Sequence, residues 1–308
     1  MPRLRRKALV KSNLDLWLNN LFLKDGFFID VSTGETDVYG RDISEMVSMD
    51  DPSYADGRVW QSAFKEWVHE SGITTTEPTA TPPLVASGVT VDGVFYPKDP
   101  AAAGFNPAFS HALDYRNGRV IFDTPIALAS AVQGEFSYKE ITVDMADSFE
   151  NEQKEFFFET TYKDNPFQTG VLTFPEENSR TLPMVLVDVT QMGYDSYELG
   201  NASNRLDLEG SFIVWARDSY MRDQIEDLIG SQEHVVALGI DFNTAPYPLD
   251  FQNDKNSTFS SYDTLANLGS PHFWRRIYID EIDSRKITPF YNIERTQIKF
   301  LIRVYPNF

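Results

Sequence analysis

The side chains best able to do chemistry in this chain are four histidines, His69, His111, His234 and His272, and 46 acids; there is no cysteine. Without a thiol, disulfide scaffolds, Cys-ligated zinc, iron–sulfur clusters and thiol nucleophiles are excluded. No histidine stands in a His-Glu-x-x-His pair or another metal spacing. His69 lies beside Glu70, a neighbour expected by chance in so acidic a chain, so each histidine is expected to be satisfied or exposed. The sequence holds no Gly-x-Ser-x-Gly elbow, no phosphate loop ending in Gly-Lys-Ser/Thr and no Gly-x-Gly-x-x-Gly. Asp50, Asp51 and Asp56 cluster, but they miss the alternating acids, central glycine and final glutamate of a calcium loop. A carboxylate pair for glycoside hydrolysis is defined by a separation of about 5–10 Å in the fold, not by spacing in the chain. A two-carboxylate hydrolase is therefore a third-ranked alternative. The expectation is a chain with no catalytic, cofactor-binding or metal-ligating residue, and not an enzyme.

Charge and size bound what else the chain does. Its 308 residues suffice for one large domain or two modest ones. It is aromatic-rich, with 23 Phe, 14 Tyr and 5 Trp, and its net charge is -19. No apolar run approaches the roughly 18 residues of a membrane span, so no membrane contact is expected. Arg3, Arg5, Arg6, Lys7 and Lys11 form a basic arm with no apolar run behind it, unlike a signal peptide. The rest of the chain is more acidic still and repels a phosphate backbone at long range. Acids gather at 35–56 and 140–164, while the stretch from Phe273 onward is locally basic. Such sorting suits contacts between copies of the same chain.

The elements that would carry these charges follow from periodicity. Ser12 reads as an N-cap, and Leu14, Trp17, Leu18, Leu21 and Phe22 fall on one helical stripe ended by Asp25-Gly26. Residues 59–68, with Trp60, Ala63, Phe64, Trp67 and Val68, fit a helix. Prolines in 74–86 predict an extended linker. Asp92-Gly93 and Asn117-Gly118, each between short apolar runs, predict two type I′ hairpins. Strands are expected at 135–143, 184–189, 206–215, 235–242, 273–282 and 290–305, with a helix capped by Asp218 or Ser219 and closed by Gly230. The fold class is α+β, mainly β: a small β-sandwich or barrel-like unit and a second sheet packed by one or two helices. The segments are 1–25 (basic arm and amphipathic helix), 26–84 (mixed, ending in the Thr/Pro linker), 85–149 (all-β) and 150–308 (α+β).

Two stretches, Val91-Asp92-Gly93-Val94-Phe95-Tyr96 and 114–123, resemble virion structural proteins of contractile-tailed bacteriophages. The layout of the second half, where 212–218 runs as a strand straight into a helix, is similar to tail-terminator or neck proteins. The resemblance implies a non-enzymatic virion protein that forms a homo-oligomeric ring in the head-to-tail connection. It would be assembled in the host cytoplasm, touch other neck and tail proteins, and let DNA pass an acidic channel without specific binding. Six or twelve copies are expected, with heterologous contacts. Candidate contact residues are Arg3, Arg5 and Arg6, then Phe156, Phe157 and Phe158, then Arg275 and Arg276. No cofactor is expected. The alternative is a carbohydrate-binding or receptor-binding β-rich module of a baseplate, with Trp60, Trp67, Tyr194, Tyr197 and Trp274 as a sugar platform.

Overall fold

The computed structural model describes residues 6–76, 81–146, 182–196, 204–290 and 293–305. Helix α1 (Arg6–Lys24) opens it. Ser12 is not its cap: the helix begins more than a turn earlier, because Leu9 and Val10 extend the buried stripe backwards. Its end is the expected one. Gly26 takes φ +89°, its N–H donates to the Leu23 carbonyl at 3.3 Å, and Phe27 N–H reaches Phe22 at 3.0 Å. The Phe22 and Phe27 rings meet edge-on, the apolar contact that accompanies this C-terminal motif.

The first unit is a seven-stranded antiparallel sheet in the order β5-β4-β8-β2-β3-β7-β6. Its strands are β2 (Glu45–Ser48), β3 (Val59–Gln61), β4 (Gly88–Val91), β5 (Val94–Pro97), β6 (His111–Asp114), β7 (Arg119–Phe122) and β8 (Val132–Gly134). A two-stranded ribbon, β1 (Phe28–Val31) with β9 (Phe136–Lys139), lies beside it. The sheet curls into a half-barrel around Trp60, Trp67, Leu113, Val120, Phe122 and Phe136. The strands of 85–149 thus share their sheet with β2 and β3, from before the Thr/Pro stretch.

Two expectations are corrected here. Residues 59–68 are not helical. Val59–Gln61 is a strand, and 62–68 is an irregular segment with Glu66 at φ 53°, its N–H groups donating to Gly118 (from Ser62), Arg116 (from Glu66), Tyr115 (from Trp67) and Ser137 (from Val68). The apolar residues sit at helical spacing because they fill a strand buried along its whole length and then a loop wall. Asp92-Gly93 does form a two-residue turn, with φ 50° and 78°. Asn117-Gly118 does not: Asp114 pairs with Arg119 across four loop residues, and the Asp114 carboxylate accepts from the Asn117 backbone and side chain. That carboxylate stabilises the longer loop.

The second unit is a six-stranded sheet, order β10-β11-β12-β15-β14-β13. Its strands are β10 (Thr142–Met145), β11 (Met184–Ser196), β12 (Asn204–Ala216), β13 (Val236–Ile240), β14 (Phe273–Phe290) and β15 (Ile293–Val304). Only the β10–β11 pair is parallel. Helix α2 (Ser219–Gly230) is capped by Asp218, whose carboxylate accepts from Met221 N–H. With α1 it covers one face of the sheet, burying Leu14, Leu18 and Phe22 with Ile225, Ile229, Val187, Phe212, Phe300 and Ile302. The N-terminal helix therefore completes the core of the C-terminal sheet. A short helix α3 (Tyr262–Leu265) lies nearby.

Side chains close the β13 edge. Asn13 of α1 accepts from Ile240 N–H at 2.6 Å and donates to its carbonyl at 2.9 Å, as a neighbouring strand would. Tyr262 donates to the Leu238 carbonyl at 2.7 Å. Farther along, β14 outgrows β13, and among the described residues its outer edge has no strand beyond the β13 contacts. That edge carries a bulge at Glu281 (φ 52°) and then Arg285 and Lys286, features that discourage strand addition. The fold class is α+β and mainly β, with 39% strand against 16% helix. No helix among the described residues is long and apolar enough to cross a membrane.

Candidate functional site

Among the described residues, a set of interacting buried ionisable groups lies where α1 meets the first unit. Residues 66–70 run beside β9: Lys139 N–H donates to the Glu66 carbonyl and Val68 N–H to that of Ser137. This register sets the Lys139 ammonium between Glu70 and α1. It donates to Glu70 Oε1 at 2.7 Å and to Asn19 Oδ1 at 3.1 Å. Lys139, Asn19 and Glu70 are only 7%, 7% and 3% exposed. Glu70 Oε2 also accepts from His69 N–H. Burial pushes the Glu70 carboxyl up, but the adjacent His69 and Lys139 outweigh it and hold the group at about 2. Burial pulls His69 down to about 4. Above that pH the imidazole is neutral, so Lys139 is the cation that keeps Glu70 ionised.

One turn before Asn19, Asp15 faces the same region. Its half-buried carboxyl is pushed up to about 7, first by burial and then by Asp144 and Glu66, against the pull of Lys139 and Arg116. Arg116 spans the two competing acids, 3.2 Å from Asp144 and 4.0 Å from Glu66. The cluster thus draws on α1, the 66–70 segment, the β6–β7 loop, β9 and β10. Two cations, Lys139 and Arg116, are shared among Glu70, Glu66, Asp144 and Asp15, so the seam pairs its charges locally and stays acidic as a whole. His69 is satisfied only in part, one ring nitrogen being hydrogen-bonded to the Trp67 backbone. It is buried, and Nε2 lies 3.4 Å from Glu70 Oε1 without hydrogen-bond geometry. His111 Nε2 is likewise buried without a hydrogen bond.

Of the expected contact residues, Arg3, Arg5, Phe156, Phe157 and Phe158 lie outside the described residues. Arg6, at the exposed start of α1, comes close to Arg275 on β14. Burial and then the Arg6 charge lower the Arg275 guanidinium from its ordinary value. Arg275 also stacks over Trp274 at 5.9 Å. Arg276 is exposed. Of the three, Arg6 and Arg275 lie near enough for their charges to repel. Trp60 and Trp67 are 3% and 1% exposed, so neither offers a sugar platform.

The first unit presents two turns of the same design. Asp37 and Asp250 each donate N–H to the carbonyl four residues on and accept, through Oδ1, from the N–H groups two and four residues on. Each pins an apolar residue outward: Val38 is 93% and Phe251 92% exposed. The Asp37 turn stands within the acidic stretch 35–56, where Glu35, Asp50 and Asp56 are exposed.

Sequence reasoning missed the Lys139–Asn19–Glu70 cluster. The available signal was the amide pair Asn19-Asn20 between the apolar residues Leu18 and Leu21 of α1. Among the described residues no group of three or more His, Asp or Glu side chains is placed to hold a metal ion. No family model matches the chain, and no curated protein matches it.

Proposed function

We propose that the chain is a non-enzymatic virion structural protein that closes into a ring at the head-to-tail connection of a tailed phage. The observation that carries this reading is a local basic pair on one unit and a run of exposed acids on the other. The six-stranded unit holds Arg6 and Arg275 together beside a half-buried Trp274. The seven-stranded unit presents exposed acids and the outward Val38. Opposite signs on different parts of one chain favour head-to-tail contacts, which close into rings. The guarded β14 edge favours contacts through side chains over strand addition. Arg3, Arg5, Arg276 and Phe156 to Phe158 belong to the same proposal. A net charge of -19 per copy, multiplied around a ring, keeps a passing DNA duplex from adhering to the wall.

Light scattering and electron microscopy of the purified protein, alone and with virion components, test the reading. The expected species is a closed ring whose mass is a multiple of 35.1 kDa. A strict monomer that joins no larger particle overturns it.

A further inference from the structure

Lys139, Asn19 and Glu70 form a buried Lys–Asn–Glu triad, and we propose that it is a self-reacting centre that joins Lys139 to Asn19 through a side-chain amide bond. The inference stands apart from the ring and depends only on the geometry of these three groups.

Such a bond needs an amine beside an amide carbon, a proton carrier touching the amine, and the exclusion of water. The structure brings the three groups into contact in a buried site. The Lys139 nitrogen is 3.1 Å from Asn19 Oδ1, and the carbonyl carbon is one C=O bond of about 1.2 Å from that oxygen. The Asn19 amide is oriented by its own Nδ2, which donates to the Asp15 carbonyl at 3.0 Å, so the oxygen faces the lysine. Glu70 lies 2.7 Å from the same nitrogen. All three residues are buried, held by α1, β9 and the 66–70 segment. Fixed proximity of this kind replaces the entropy cost of a bimolecular encounter.

The atoms and protons balance without a co-reactant. Lys139 passes one proton to Glu70, leaving a neutral amine and a neutral acid, a pair that the low-dielectric site tolerates. The amine attacks Asn19 Cγ and forms the C–N bond. Glu70 delivers its proton to Nδ2 and takes one from the attacking nitrogen. The Cγ–Nδ2 bond breaks and ammonia leaves. The products are a secondary amide, ammonia and a protonated Glu70. The resting pair is ionic, so the first proton transfer is uphill and the reaction is slow relative to folding. The bond closes a loop across 120 positions and ties the core helix of the second unit to a strand of the first.

Intact-protein mass spectrometry of the folded chain, followed over days of incubation, tests the proposal. The expected result is a mass lower than that of the sequence by one ammonia. Proteolysis should yield a branched tryptic peptide joining the segment 12–24 to one that still contains uncut Lys139. Lys139→Arg and Glu70→Gln are expected to keep the full mass. The unaltered chain decides the matter even if a variant misfolds. Full mass with separate Asn19 and Lys139 peptides overturns the proposal. So does an ammonia loss that maps to Asn117-Gly118 as a cyclised asparagine. A Glu70→Gln variant that links at the unaltered rate overturns the role given to Glu70.

Discussion

Replacing Asn13 by Ala tests whether a helix side chain stands in for the missing neighbour of β13. In the native protein the Asn13 amide satisfies both the N–H and the C=O of Ile240, at 2.6 and 2.9 Å, in a site where Asn13 is 1% exposed. Alanine leaves two buried backbone groups unpaired. Each orphaned group costs about 1–3 kcal/mol, so the loss of unfolding free energy is about 2–5 kcal/mol. Tyr262→Phe is the internal control. It orphans one carbonyl, that of Leu238, and is expected to cost about 1–2 kcal/mol. Equilibrium urea denaturation gives the two values. Amide hydrogen exchange localises the effect, with Ile240 losing protection in Asn13→Ala and keeping most of it in Tyr262→Phe. An Asn13→Ala cost below about 1 kcal/mol, or unchanged exchange at Ile240, refutes the edge-closing role.

Other outcomes follow from the cluster and the turns. The Asp15 carboxyl is raised to about 7, so its contribution to stability is complete below pH 4 and is lost as pH rises towards 7. Asp15→Asn should match the parent at pH 4 and exceed it at pH 8 by about 1–3 kcal/mol after screening at this half-buried site; equal melts at pH 8 would contradict this. Gly118 has φ +65°, and a Cβ there would lie 1.9 Å from the Phe64 carbonyl oxygen. Gly118→Ala is expected to cost about 2–4 kcal/mol. Gly26→Ala, with open space around it, should cost only about 1 kcal/mol, and thermal melts should rank the two in that order. Val38→Asp and Phe251→Asp should leave the urea midpoint within error, since both side chains already face water. If the two turns dock neighbours, the same variants should lose assembly by light scattering, and unimpaired assembly would remove the turns from the interface.

What the sequence determined by itself is what depends on a few consecutive residues. Asp92-Gly93 supplies two positive φ angles and makes its hairpin. Asp218 caps α2 because its carboxylate reaches an N–H three residues away. Asp25-Gly26 stops α1 because glycine accepts the left-handed conformation there. The α+β, mainly β class follows from such local signals repeated along the chain. Tertiary structure decided the rest. Residues 59–68 abandon helical spacing because their N–H groups find carbonyls on β9 and on the β6–β7 loop. The stripe of α1 was legible, but its partner was not, since apolar side chains do not specify which sheet they cover. The Lys139–Asn19 contact spans 120 positions. It exists only because α1, docked on the C-terminal sheet, turns Asn19 towards a strand of the other unit. Hydrogen bonds within a turn are fixed by chain connectivity, whereas those across the core are fixed by packing, which no short window of residues encodes.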